Sequence, residues 1–253
     1  MKIKQLRAYI LLWSTQSLST LGSSMTSYAL VLWLYLRNGS ALGTAMLSVC
    51  SYAPYVIMSI FAGALSDRWN KKHTMLVCDL AAACSTVAIF LLIKADALQP
   101  WHLYVLNALN GLMNTIQQPA SEVAATLLIP KAYYQKTSGL RSLSQSMNSI
   151  LTPILATALF TFAGVDLVIV FDLTTFTAAF LTLLLFIKIP ERSTAEQPKE
   201  KILTSARAGL SWLRQNPLIS NPILFLACIN LIASIYNAAL PAMLLSRQNT
   251  GET

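Results

Sequence analysis

Four amide side chains recur on one face of an apolar segment near the middle of the chain. Asn107, Asn110, Asn114 and Gln118 follow one another at steps of three, four and four residues, the spacing of one face of an α-helix. Amides are costly in hydrocarbon, but in a water-filled cavity they can hydrogen-bond a solute. The alternative is hydrogen bonding between helices, although four amides exceed what packing usually needs. The stripe therefore predicts the lining of a solute cavity.

Shorter polar series occur in two other apolar segments. Gln16 lies in the first segment, and Gln145 and Asn148 lie about one helical turn apart in the fifth. These three amides are candidates for the same cavity. For the Ser and Thr residues around them, packing between helices is the favoured interpretation, because hydroxyl side chains commonly fill membrane helix interfaces.

Three acids, Asp79, Glu122 and Asp172, fall inside apolar segments, where acids are functional candidates by default. Asp172 lies about a turn and a half into the sixth segment. It is a candidate to carry a proton or pair with a cationic solute; the alternative is a structural acid bonded to nearby Thr hydroxyls. Asp79 lies near one end of the third segment, close to Arg68 and Lys72, so a structural ion pair is favoured there. Glu122 is expected to join the same charge cluster.

The sequence carries no pattern of catalytic or cofactor chemistry. His73 and His102, the two histidines, stand alone at segment ends, and the four cysteines lack metal-ligand spacing. A glycine-rich phosphate loop and a nucleophile elbow are also missing. We therefore expect no enzymatic activity, no metal and no cofactor. Energy for moving a solute would come from an ion gradient and not from bound ATP.

The elements that hold these residues are long apolar helices. Of 253 residues, 55% are hydrophobic and only 11% are charged, against roughly 25% charged in a soluble domain. Apolar blocks of this length must cross a bilayer as helices, because hydrocarbon cannot solvate peptide groups. The fold class is therefore an all-α membrane protein. The predicted spans are Tyr9–Leu36, Ala41–Leu65, His73–Ile93, Trp101–Leu128, Ser138–Ala163, Leu167–Ile189 and Ile219–Leu245.

The basic residues are unevenly divided between the two sides of these spans. Of the 18 Lys and Arg residues, only Arg37, Lys94 and Arg247 lie on the side opposite the N-terminus. Lys and Arg are retained on the cytoplasmic side of a membrane, so the N-terminus is predicted to be cytoplasmic. The net charge of +8 then reflects membrane topology, and the expected partner is a lipid bilayer and not a nucleic acid. The first apolar stretch is expected to be a retained span, not a cleaved signal.

One polar stretch, between the sixth and seventh spans, is long enough to divide the chain. We predict a six-helix transmembrane domain at residues 1–190, a cytoplasmic linker at 191–217 and the first helix of a second domain at 218–253. Within the linker, apolar residues repeat at helical spacing from Ile202 to Leu213, with Lys201, Arg207 and Arg214 on the other side. This pattern is typical of an amphipathic helix on a membrane surface.

The most specific pattern is the loop between the second and third spans, which we call the loop motif. It reads Gly63-Ala-Leu-Ser-Asp67-Arg-Trp-Asn-Lys71-Lys72. Gly63 removes a side chain where two helices could cross closely. Asp67 could cap the N-terminus of a neighbouring helix, and the bases that follow could anchor a tight turn.

The loop motif resembles the signature loop of the major facilitator superfamily. The resemblance implies a transporter that alternates between inward-open and outward-open states, with the first and fourth helices lining its central cavity. It also implies that the loop holds one domain against the other on the cytoplasmic side. The residues assigned to this conformational gate are Gly63, Asp67, Arg68, Lys71, Lys72 and, at the start of the third span, Asp79.

Further segments resemble the drug-efflux branch of this family, which includes macrolide exporters. They are Met75–Leu80, Gln117–Ala120, Pro153 and Phe171–Leu173. Two positions depart from the family pattern. Asn110 stands where proton-coupled members commonly have Arg, and the Gly-Pro pattern of antiporters in the fifth span is reduced to Pro153.

Members of this family commonly have about twelve spans in two halves, with the substrate site between them. This chain holds the first half and one further helix, which indicates a truncated product or, alternatively, assembly with a second polypeptide or a second copy. The resemblance implies proton-coupled export of small amphipathic molecules, such as macrolide-type drugs or related metabolites, across a bacterial inner membrane, with Asp172 as the proton-coupling candidate. The alternatives are a non-transporting half that modulates a partner, and an exporter of siderophores or lipids.

Overall fold

Every regular element that the structure describes is helical. The computed structural model describes residues 2–38, 41–190, 209 and 211–229. Its helices are α1 (Lys2–Asn38), α2 (Ala41–Arg68), α3 (Lys71–Lys94), α4 (Pro100–Leu128) and α5 (Tyr134–Leu181). A short 3-10 helix, Lys131–Tyr133, precedes α5, and a π-helical turn, Thr182–Phe186, follows it.

Helix α5 is bent and supplies two of the predicted spans. Ala163 has φ −144° and ψ 18°, and Gly164 has φ 72° and ψ −168°, so the helix is interrupted at these two residues. Glycine adopts a positive φ without a steric penalty, which makes the bend possible at this position. We call the arms α5a (134–162) and α5b (165–181). The bend separates the predicted fifth and sixth spans, and α1 to α4 coincide with the first four. The predicted all-α membrane fold is confirmed.

Three segments of the described chain are long and apolar enough to cross a membrane by length and composition alone. They are Leu42–Ser59, Lys71–Lys94 and Tyr134–Phe186. Helices α1 and α4 are also long enough, but Ser, Thr and amide side chains interrupt their apolar residues. The more polar helices are therefore the two that the family resemblance assigns to the cavity.

Both histidines lie at helix starts that are capped by a side chain. The Asn70 side chain caps α3 by accepting a hydrogen bond from the backbone N–H of His73 at 3.1 Å. At the start of α4, the backbone N–H of Gln99 donates to His102 Nδ1 at 3.0 Å, and Pro100 occupies the first helical position. His102 is thus part of a helix cap.

Two apolar clusters pack the bundle, one toward each end. The cluster near the loop motif contains Tyr9, Leu12, Met75, Leu128, Leu183 and Ile187. The cluster at the opposite end contains Met25, Leu34, Ile89, Leu103 and Val168. Polar side chains of α1, α3 and α4 lie in the sequence intervals between the two clusters, and these side chains make the contacts described below.

Close helix crossings occur at two glycines. A Cβ on Gly22 of α1 would lie 2.5 Å from Thr175 Oγ1 and 3.0 Å from Asp172 Cα of α5b, and a Cβ on Gly111 of α4 would overlap the carbonyl oxygen of Ser51 on α2. Small residues allow such crossings in membrane bundles. At Gly63 a Cβ would meet nothing within 4 Å among the described residues, so the crossing predicted there is not seen in this part of the chain.

The chain divides into two compact units, Met1–Pro198 and Lys199–Thr253. In the second unit, residues 211–215 and Pro217–Ile229 are helical. Much of the predicted amphipathic helix, and the predicted seventh span beyond residue 229, lie outside the described residues. The predicted domain boundaries at 190 and 217 therefore stay predictions.

Candidate functional site

A carboxylate near the loop-motif end joins three helices. Asp79 of α3 accepts a hydrogen bond on Oδ1 from Gln117 Nε2 of α4 at 2.5 Å, and one on Oδ2 from Gln16 Nε2 of α1 at 3.3 Å. All three side chains are half-buried. Hydrogen bonds to an ionised carboxylate are stronger than those between neutral groups. We call Gln16, Asp79 and Gln117 the amide–carboxylate bridge.

Hydrogen bonds from two amides, and not an ion pair with Lys72, hold the Asp79 carboxylate. Lys72, the nearer described base on α3, donates instead to the carbonyl oxygens of Leu184 and Ile187, each at 2.8 Å. The expected Asp79–Lys72 pair is therefore wrong, because the carbonyls at the end of the π-helical turn engage the Lys72 ammonium. The side chain of Arg68 lies outside the described residues.

A second carboxylate, Asp172, is enclosed between α1 and α5b. It is only 3% exposed, and Ser23 Oγ of α1 donates to its Oδ1 at 2.9 Å. The hydroxyls of Thr26 and Thr86 also lie near this carboxyl. The close crossing at Gly22 brings α1 and α5b together beside it. Asp172 thus lies in a pocket of hydroxyl groups, the surroundings expected of either a proton carrier or a structural acid.

The four amides of the α4 stripe have different surroundings. Asn107 Nδ2 donates to the Leu103 carbonyl of its own helix at 2.8 Å, and Asn110 Oδ1 is buried with no hydrogen-bond partner among the described residues. Asn114 and Gln118 are exposed, and Gln118 Oε1 accepts from Tyr55 OH of α2 at 3.4 Å. The cavity predicted from the stripe stays a prediction, with Asn114 and Gln118 as its accessible members.

The polar residues of α5a are split between packing and exposure. Asn148 Nδ2 donates to Ser24 Oγ of α1 at 3.0 Å, and Ser144 Oγ lies 3.0 Å from Ser17 Oγ of the same helix. Gln145 is exposed. Asn148 therefore holds α5a against α1, whereas Gln145 is available to a solute or to another part of the protein.

The described loop-motif residues contact their own bundle. Helix α2 ends at Arg68, within the motif, and Lys71 Nζ donates to the Trp69 carbonyl at 3.1 Å. Lys72 binds the carbonyls after α5b, as described above. The side chains of Asp67 and Arg68 lie outside the described residues, so the gate role assigned to the motif stays a prediction.

Replacing Lys72 by methionine should destabilise the bundle. The variant leaves the Leu184 and Ile187 carbonyls without their charged donor, and such a loss costs about 1–3 kcal/mol where the groups cannot reach water. We expect Lys72→Met to lower the melting temperature of the detergent-solubilised protein, measured by fluorescence-detected size exclusion after heating. Lys136→Met, at an exposed residue of α5a, is the matched control. Equal melting of the two variants would show that the Lys72 contacts add nothing.

Ion pairs lie at both ends of the bundle. Glu122 of α4 pairs with Arg141 of α5a at 2.6 Å near the loop-motif end. The described ion pair of Glu122 is therefore with α5a and not with the bases expected around Asp79. At the opposite end, Arg37 pairs with Asp96 at 3.0 Å and Lys94 pairs with Asp166 at 2.6 Å. Both described bases at that end are therefore neutralised by an acid.

Several contacts could not be read from sequence periodicity. Gln117 lies beside the amide stripe and not on it, yet it makes the shortest bond to Asp79. Ser23 packs between helices as expected, but its specific partner, the buried acid Asp172, and the contact of Ser24 with Asn148 were not predicted. The hydrogen bond from Tyr55 to Gln118 was also not predicted, because Tyr55 lies in an apolar part of the second span. The close crossing at Gly111 had one signal in the sequence, a small residue within the polar helix α4.

Taken together, a bundle of long apolar helices with acids and amides paired across its interior is the architecture of an integral membrane protein. The profile of the Major Facilitator Superfamily matches residues 12–251. The chain belongs to that family.

The chain is similar to several efflux proteins. It is 24% identical to "Macrolide efflux protein A" of Streptococcus pyogenes over 206 residues, which are 81% of this chain and 51% of that protein. It is 29% identical to "Multidrug efflux pump Tap" of Mycolicibacterium fortuitum over 101 residues, 40% of this chain and 24% of the pump. An "Uncharacterized MFS-type transporter YfiS" of Bacillus subtilis is 23% identical over 222 residues, 85% of this chain and 51% of that protein. The chain thus spans about half the length of the first curated relatives it matches.

Proposed function

We propose that this chain forms part of a secondary active exporter of small amphipathic molecules, driven by protons through alternating access. The observation that carries the proposal is the enclosed carboxylate of Asp172, 3% exposed, within a major facilitator bundle whose relatives are named for efflux. An acid inside a membrane bundle is costly and therefore points to ion or solute handling.

The solute would bind beside the polar faces of α1 and α4. Asn114 and Gln118 are accessible on α4, Gln145 is accessible on α5a, and Tyr55 adds an aromatic ring next to Gln118. Aromatic and amide groups with few charges suit a bulky solute that is neutral or carries one charge. Macrolide-type compounds are the first class to test, because the Streptococcus pyogenes relative carries that name.

We propose a multi-pass protein of a bacterial inner membrane with a cytoplasmic N-terminus. Support for this orientation is the distribution of Lys and Arg, of which only three lie in the loops opposite the N-terminus. Two of these three are paired with acids, Arg37 with Asp96 and Lys94 with Asp166.

Inside-out membrane vesicles test the proposed export. The gene that encodes this chain is expressed in a host lacking its own drug pumps, and the vesicles are given a labelled macrolide. Acidifying the vesicle interior should drive macrolide uptake, because an antiporter exchanges internal protons for external solute, and a protonophore should abolish it. Vesicles from cells with an empty vector are the control. Uptake that ignores the imposed pH difference would exclude proton coupling; labelled siderophore or lipid as the only transported solute would redirect the substrate class.

A second candidate is a half-transporter that acts on a partner. The same vesicle assay separates it from the first candidate. In this case vesicles with the chain alone should show no proton-driven uptake, whereas co-expression with a second copy or a separate six-helix half should restore or alter it.

A further inference from the structure

The amide–carboxylate bridge differs from Asp172 in its access to water. Asp172 is enclosed, whereas Gln16, Asp79 and Gln117 are each half-buried. The bridge also joins α3 to the two polar helices, α1 and α4. A proton or solute entering between these helices would therefore meet the bridge without prior opening of the α1–α5b contact.

The chemistry of the bridge depends on the charge of the carboxyl group. An ionised carboxylate only accepts hydrogen bonds, so both glutamines must turn their NH2 groups toward Asp79 and their carbonyls away. When a proton from water binds one oxygen, that oxygen becomes a donor and needs an acceptor. A glutamine can supply one by rotating its terminal amide half a turn, which brings its carbonyl to Asp79 and points its NH2 group outward.

We propose that Asp79 is a proton-binding residue whose protonation reverses the hydrogen-bonding groups that Gln16 and Gln117 present to a solute. In the ionised state the accessible groups are amide carbonyls and the carboxylate, which favour a cationic solute or one rich in N–H and O–H donors. In the protonated state an outward NH2 group replaces a carbonyl and the negative charge is lost. Proton and donor-rich solute therefore compete for the bridge, as an antiporter requires. This inference rests on the proposed transport function for its solute.

The described charged side chains on α3 and α4 near the bridge have other partners. On α3, Lys72 binds the Leu184 and Ile187 carbonyls, and Cys78 is the buried neighbour of Asp79. On α4, Glu122 pairs with Arg141 of α5a.

Two more groups complete this environment. Tyr9 of α1 is buried in the apolar cluster at the same end, and the π-helical turn contributes only backbone carbonyls. Among the described side chains, the amides of Gln16 and Gln117 hydrogen-bond the Asp79 carboxylate, so its protonation should change their hydrogen bonds directly.

Infrared difference spectroscopy of the purified chain tests the switch without any solute. The protein, with glutamine side chains labelled with nitrogen-15, is taken through a pH titration in lipid nanodiscs. We expect a protonated-carboxyl band and a glutamine amide shift to appear with the same midpoint. Asp79→Asn should remove the glutamine shift and the part of the carboxyl band that shares its midpoint, while any band from Asp172 remains. Gln117→Leu should keep the carboxyl band and reduce the amide shift. Glu122→Gln is the matched control and should keep both signals.

Results in the wild-type chain alone can overturn the proposal, so it does not depend on a variant that folds. A glutamine shift without a carboxyl band, or a carboxyl band without a glutamine shift, excludes the switch. Persistence of both signals in Asp79→Asn assigns them to another acid and also excludes it.

Binding of a lipophilic cationic dye, rhodamine 6G, tests the solute site separately from the proton switch. One competing proton should weaken binding about tenfold for each pH unit below the midpoint of the carboxyl band. Loss of that pH dependence in Asp79→Asn supports the competition, and an unchanged dependence overturns it. If the infrared signals appear but the dye does not bind, the solute site fails while the proton switch stands. If the dye binds and both infrared signals are missing, the switch fails while the solute site stands.

Discussion

Replacing Gly111 by alanine should remove most of the stably folded protein from detergent extracts. The added Cβ would overlap the Ser51 carbonyl oxygen, which is backbone and cannot rotate away, so α2 and α4 must separate. Overpacking of this kind costs about 1–3 kcal/mol in ordinary cores, and separation of the helices also loses dispersion contacts along their crossing. We expect a marked fall in both yield and melting temperature, measured by fluorescence-detected size exclusion.

Gly63→Ala is the matched control for this effect. Gly63 also lies within a helix, α2, but a Cβ there meets nothing within 4 Å among the described residues. Alanine is favoured over glycine inside a helix by about 1 kcal/mol, so local propensity alone predicts that both substitutions stabilise the protein. We expect the melting temperature to fall in Gly111→Ala and to rise in Gly63→Ala, and this difference reports the helix crossing at Gly111. A Gly111→Ala protein that melts at or above the wild type would show that α2 and α4 do not meet at this residue.

Asp172→Asn should leave the protein folded and abolish proton-driven export. Asparagine has nearly the volume of aspartate, and its side-chain oxygen can still accept the hydrogen bond from Ser23 that holds the carboxyl at 2.9 Å. It cannot bind and release a proton in the physiological range. We expect uptake driven by a pH difference to fall to the level of empty-vector vesicles, because asparagine cannot carry the coupled proton. Solute exchange without a gradient should remain.

Asp166→Asn is the control, because Asp166 lies on the same arm, α5b, but is 42% exposed and paired with Lys94. This variant should transport like the wild type. If Asp172→Asn transports equally well, Asp172 is a structural acid held by hydroxyl groups, which is the other interpretation of its sequence position. If only the melting temperature falls, the same conclusion follows.

The sequence by itself determined the architecture, because the physics of hydrocarbon allows few alternatives. Backbone groups must be satisfied within each apolar segment, so segments of this length form helices. The predicted break between the fifth and sixth spans, after Ala163, coincides with the bend of α5. The loop motif also identified the family that residues 12–251 match.

Only the tertiary structure decided which polar groups meet. Periodicity shows which residues share a face of one helix, but not which face meets which neighbour. Gln117 was therefore left beside the amide stripe, although α4 packs so that it reaches Asp79. Proximity along the chain favoured Lys72 as the partner of Asp79, but the end of α5b folds back to within reach of Lys72 and takes its ammonium. Gly63 and Gly111 both favour close packing in the sequence, but only Gly111 has a helix against it in the described bundle, because a crossing point depends on how two helices are placed and not on one residue.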